Sequence, residues 1–243
     1  MKRFMYVTLT LNNIFSVLIC IILSLCAVIG YDVASNYIST SAVAFENPAI
    51  IIDAGHGGED GGTVSHKGIL EKDINLKIAL KLNTLFKNSG YNTIMIRDSD
   101  KLIYDENSTT IRQKKSSDLH NRLDIVNSSE NAILLSIHQN HYEESKYYGA
   151  QVFYSGNNTE SMALAELIQS SIIKNIQPEN KRQIKKTGSE IFLLNNAKIP
   201  AVMVECGFLS NLKEAELLNT EEYQNRISEC IYNAVDTFIN QRK

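Results

Sequence analysis

Proline is scarce in this chain of 243 residues, with three in all; cysteine occurs four times, and neither sign of charge dominates. Each scarcity excludes a class. So little proline beside 44% hydrophobic residues rules out a disordered or collagen-like chain, and four cysteines are too few for a disulfide-stapled miniprotein. With 24 basic against 27 acidic residues the formal net charge is −3, so no overall basic field advertises nucleic acid as a partner. The length suits one domain with a full core, since single domains run to roughly 100–250 residues.

A further absence is local. No acidic residue precedes Asp32, while Lys2 and Arg3 open the chain and residues 14–29 read IFSVLICIILSLCAVI, an apolar run of 16. A basic end followed by such a run is the pattern of a secretory signal or a short membrane anchor. A full span wants about 20 apolar residues, so both readings stay open, and any membrane contact is expected through this segment alone. The expected plan is an export segment at 1–30, a linker at 31–48 and a folded domain at 49–243. Loss of residues 1–30 leaves 22 basic against 27 acidic residues, a net of −5. Cys20 and Cys26 read as apolar members of the run. Cys206 and Cys230 remain, as one bridge or as two buried small hydrophobes.

From residue 49 the pattern is regular. Residues 49–53, 93–97, 132–137, 150–154, 191–194 and 201–205 are short, branched and apolar, as strands are, and several are apolar on both faces, as in buried parallel sheets. Residues 71–89, 159–176 and 223–239 carry apolar stripes at helical spacing, and the first stops at Gly90. Residues 98–117 read as a long irregular segment. The alternation predicts a single α/β domain with a mostly parallel central sheet and helices on both faces.

In such a sheet ligands bind at the C-terminal ends of the strands, and the unusual residues of this chain fall there. The first strand runs into Asp53-Ala-Gly-His-Gly-Gly58, which places His56 in a glycine-rich turn. Residues 136–141 read SIHQNH, and strand alternation puts His138 and Asn140 on one face with Gln139 on the other. Glu71 opens a helix, and Glu205 closes a strand that is otherwise apolar, where an unpartnered buried acid would cost several kcal/mol. Two histidines and two carboxylates can thus meet on one crest. Two histidines and one glutamate with an open position form a catalytic zinc set, and a further carboxylate can take a proton from water. Manganese or iron suits similar donors.

These stretches resemble the zinc-dependent N-acetylmuramoyl-L-alanine amidases of the amidase 3 type. Residues 53–58 are similar to the family's Asp-Pro-Gly-His-Gly-Gly, 136–140 to its Ser-Ile-His-x-Asn, and 204–211 (VECGFLSN) to its final acidic motif. The likeness covers about residues 49–239. Softer stretches at 111–122, 149–154 and 180–185 resemble the germination-specific, spore-cortex branch of the family. The resemblance implies that His56, Glu71 and His138 bind Zn2+ and that Glu205 is the general base or acid. It implies peptidoglycan as substrate, cut between the lactyl group of N-acetylmuramic acid and L-alanine, which in the cortex branch prepares muramic lactam formation by a separate deacetylase. It also implies a cell-envelope or forespore intermembrane location and room for an activating protein partner.

Departures are Ala54 for the usual proline, and Gln139 and His141 where small residues are common. His141 could compete for metal or touch substrate, although alternation sets it opposite His138. His66 and His120 read as surface residues. Asn140, Arg182 and Lys185 are candidate substrate contacts, the two cations for stem-peptide carboxylates. A rival reading takes His56-Gly-Gly-Glu59 as the His-x-x-Glu of a zinc carboxypeptidase or endopeptidase, with Glu59 replacing Glu71. A noncatalytic wall-binding module is the other alternative.

Overall fold

A computed structural model describes residues 11–41 and 47–242, in two compact units divided after residue 46. In the first, the apolar run lies within one helix, α1 (Leu11–Ser41), which continues past residue 30. Among the described residues no helix is long and apolar enough to cross a membrane. Lys2, Arg3 and residues 42–46 of the expected linker lie outside the described residues.

The second unit is built on a six-stranded sheet. Its strands are β1 (Ala49–Ala54), β2 (Thr93–Met95), β3 (Ala132–Asn140), β4 (Gln151–Tyr154), β5 (Lys185–Lys186) and β6 (Ala201–Phe208). Their order is β2-β1-β3-β6-β4-β5. All neighbours are parallel except β4 against β6, which makes the sheet mostly parallel, as the alternation predicts.

The central strands are apolar on both faces because both faces are covered. On one, α2 (Glu71–Asn88), α4 (Glu160–Asn175) and α7 (Glu221–Asn240) pack Ile78, Leu82, Phe86, Ile168 and Ile231 against Ile50, Ile52, Leu135 and Val204, all fully buried. On the other, α3 (Ile111–Asn127) and the short α5 (Phe192–Asn196) cover Ile51, Leu134 and Met203, in the N-terminal parts of their strands. α6 (Leu212–Leu218) follows β6. Cys206 and Cys230 are free and buried.

Two expectations need correction. Residues 191–194 do not form a strand: α5 begins at Phe192, with Leu193 and Leu194 buried. An apolar run of four carries too little periodicity to separate the two states. Residues 98–117 are not irregular throughout, since α3 starts at Ile111 beneath a capping box in which Thr110 and Gln113 satisfy each other's backbone amides.

Candidate metal centre

Past β1 the chain turns sharply, and His56 adopts φ 63°, a left-handed conformation uncommon outside glycine. Two glycines clear the space around it. A Cβ on Gly55 would lie 2.2 Å from Nε2 of His138, and one on Gly62 would lie 2.6 Å from Glu71 Oε2 and 2.7 Å from His56 Cδ2. The three side chains therefore converge. His56 Nε2 is 3.3 Å from Glu71 Oε2, and His138 Nδ1 is 3.0 Å from Glu71 Oε1. One donor atom from each of the three lies within 4.8 Å of the others. Two imidazole nitrogens and a carboxylate oxygen this close can hold a metal ion.

Surrounding bonds orient each donor. His56 Nδ1 is 2.8 Å from Asp60 Oδ2, which leaves Nε2 for the cluster, and Lys115 Nζ is 2.7 Å from Asp60 Oδ1. Glu71 accepts from the amides of Thr63 at 2.8 Å and Gln139 at 3.1 Å, and from Asn75 Nδ2 at 3.3 Å. Asn75 in turn accepts from Gln139 Nε2 at 3.1 Å. Burial alone would lower the His56 pKa, but its bonds to Asp60 and Glu71 prevail and raise it to about 9. Burial would raise Glu71, yet its contacts with His138 and His56 hold it well below the usual carboxylate range.

Glu205 stands in register with His138 on the adjacent strand, so their side chains share a face. Its Oε2 is sealed from solvent and has no hydrogen-bond partner. Burial pushes its pKa up to about 7, with His138 and His56 opposing and Glu71 reinforcing the rise. A protonatable oxygen without a partner beside a three-donor cluster suits a base that meets its proton only when substrate and water arrive. The cluster opens into a cleft of about 340 Å3 whose walls include Lys115, Leu119, Phe192 and Met203.

A family model described as N-acetylmuramoyl-L-alanine amidase matches residues 50–237. The chain belongs to this amidase family. The amidase is 35% identical over 193 residues to the germination-specific N-acetylmuramoyl-L-alanine amidase of Bacillus subtilis, covering 79% of this chain and 80% of that protein. Among solved structures, the CwlD amidase from Clostridioides difficile in complex with the GerS lipoprotein is 42% identical, at a TM-score of 0.77 over 80% of this chain and 100% of that one. The N-acetylmuramoyl-L-alanine amidase from Clostridium difficile 630 is 30% identical, at a TM-score of 0.70 over 82% and 100%.

The amidase leaves other candidates apart from the donor cluster. Glu59, the rival ligand, is exposed and pairs with Lys114 Nζ at 2.9 Å. His66, His120 and His141 are exposed, and none joins the three-donor group. Asn140 lies beyond an irregularity in the β3–β6 pairing, and its side chain accepts from the amide of His141 at 2.8 Å. Arg182 donates to Tyr148 O at 2.9 Å and to Gln151 Oε1 at 3.1 Å, and it stacks over Phe208. Gln151 is the register partner of Glu205 on the adjacent strand, so Arg182 is one side chain removed from the acid. Lys185 is exposed on the edge strand, 5.7 Å from the centroid of the Phe153 ring.

The sequence reading missed Asp60 and Asn75. Each follows a candidate ligand by four residues, and for Asn75 that is the helical spacing that brings side chains together.

Proposed function

We propose that His56, Glu71 and His138 hold a zinc ion, and that Glu205 moves the proton when the amide between the lactyl group of N-acetylmuramic acid and L-alanine is hydrolysed. The carrying observation is the Glu205 oxygen, sealed from solvent and unpartnered beside the cluster. The bound ion would polarise the amide carbonyl and acidify the attacking water. Asp60 orients His56, while Thr63, Asn75 and Gln139 orient Glu71. Glu205 in its ionised form accepts the proton of the attacking water, and once protonated it donates to the leaving nitrogen of L-alanine. A pKa near 7 suits both steps.

Arg182 holds Gln151 and Lys185 lies beside Phe153, two residues further along β4, where they would meet carboxylates of the stem peptide. Asn140 would join them through Nδ2, since its Oδ1 already accepts from the amide of His141. The apolar run in α1 serves as export signal or anchor, which brings the domain to peptidoglycan in the cell envelope. Likeness to a germination-specific amidase supports a role in spore-cortex maturation. The complex in which the Clostridioides difficile amidase was solved supports an activating protein partner.

The test is to incubate the full chain in detergent with purified muropeptides, with zinc, with chelator, and with zinc restored, followed by mass analysis. Free stem peptides with new L-alanine amino termini, lost with chelator and regained with zinc, are expected. Peptide fragments released while muramic acid stays substituted would make it a carboxypeptidase or endopeptidase. Zinc-loaded protein that binds muropeptides without cutting them, both alone and with an activating lipoprotein partner supplied, would make it a wall-binding module.

A further inference from the structure

Two arginines lie under the turn that carries His56, and both bond its backbone rather than the donor side chains. Arg97 and Arg122 are 1% and 2% exposed. Arg97 donates through Nε to Ala54 O at 2.7 Å and through Nη2 to Gly55 O at 2.9 Å. The same Nη2 reaches Lys72 O at 2.9 Å, next to Glu71, and Nη1 reaches Ser99 O at 3.1 Å. Arg122 donates to Ala54 O at 3.0 Å and to His56 O at 2.8 Å. Three consecutive carbonyls, 54 to 56, are thus held by guanidinium groups, and Arg97 also ties that turn to the start of α2.

The charges balance locally. Arg122 pairs with Asp53 and, at 2.6 Å, with Asp118. Among the described residues Arg97 has no carboxylate in contact, and its donors go to backbone oxygens, so two cations sit beside two anions. Apolar side chains would fill this space with less desolvation, but they could not bind three carbonyls. The bound segment is also the strained one, because His56 takes a left-handed backbone that a side chain disfavours.

We propose that Arg97 and Arg122 are positioning residues that hold the left-handed turn at His56 and so present its ring to the metal. This rests on the metal-site reading above. A guanidinium on each side of the turn supplies directed hydrogen bonds that oppose relaxation of φ at His56. The metal then meets a donor already in place.

The test is zinc affinity of the full chain in detergent, measured by competition with a chromophoric chelator, alongside thermal unfolding of the metal-free protein. Arg122→Met, Arg122→Lys, Arg97→Met and Arg97→Lys are each made in the wild-type and His56→Ala backgrounds. In the wild-type background the Met variants should weaken zinc binding about 10- to 100-fold, with the Lys variants between them and wild type. In the His56→Ala background the same changes should have less than a twofold effect, because the residue they act through is gone. If His56→Ala itself leaves zinc affinity unchanged, the metal-site reading fails and takes the inference with it. If His56→Ala weakens binding but the arginine variants stay within twofold of wild type, or lose the same factor in both backgrounds, the inference alone is overturned. Should a Met variant fail to fold, the Lys variants carry the same comparison.

Discussion

On one face of the sheet, α2, α4 and α7 lay fully buried isoleucine, leucine and phenylalanine side chains against the central strands. On the opposite face α3 buries Asp118 and Arg122 beside Val126, and α5 contributes only Leu193 and Leu194. That cover reaches the N-terminal parts of the strands and leaves their C-terminal parts to Asp53, Ser136, His138 and Glu205, which line the cleft. The difference separates two tasks. A face closed by long apolar helices supplies burial, which scales with apolar area removed from water. A face left partly open keeps charged groups near substrate, and it offsets their desolvation with pairs such as Arg122 and Asp53.

The largest way to probe that division is Glu205→Gln on the open face. It should lower kcat by about a thousandfold while zinc content and fold remain, as read by muropeptide turnover, metal analysis and circular dichroism. Phe86→Ala on the closed face should do the reverse. It should cost about 3–5 kcal/mol in denaturant unfolding and leave the zinc affinity of the folded protein unchanged; a large affinity loss would mean that the two faces are not separable.

Asp53→Asn strikes the ions beneath the open face. It removes one of the two carboxylates that neutralise buried Arg122, leaving Asp118 alone, and should cost about 3 kcal/mol near neutral pH. Burial would raise the Asp53 pKa, but Arg122, His138 and Ser136 hold it below its ordinary 3.8. Its contribution is therefore present above about pH 4 and is lost as pH falls through the depressed value. The stability gap between variant and wild type should close in acid, as unfolding curves at several pH values would show. The smallest effect is expected at Glu59→Ala, with zinc affinity changed less than twofold, whereas Glu71→Ala should lose the metal; the opposite pattern would revive the carboxypeptidase reading.

Much of the fold was legible because its signals are local. Uniformly apolar runs at 49–53, 132–137 and 201–205 mark strands buried on both faces, and stripes in 71–89 and 223–239 mark the helices that cover them. The run at 191–194 was too short for its period to show, and the start of α3 was missed although Thr110 and Gln113 carry a capping box. At the site, His56, His138, Glu71 and Glu205 stood out as polar residues at strand ends and a helix start. Asn140 lies at the end of the strand that carries His138, and its side chain accepts from the amide of His141, a local bond that strand alternation cannot report.

The sequence by itself determined the alternation of strands and helices, the charge-poor apolar segment at the start, and which residue types gather at the strand ends. These follow from side-chain polarity at periods of 2 and 3.6 residues, which neighbours along the chain establish. Only the tertiary structure decided that β4 runs antiparallel, that Glu59 faces Lys114 rather than the cluster, and that Arg97 and Arg122 hold the turn at His56. Those outcomes depend on which distant segments meet. Arg97 and Arg122 lie 41 and 66 residues from His56 along the chain, and a hydrogen bond depends on distance and angle, which packing alone sets.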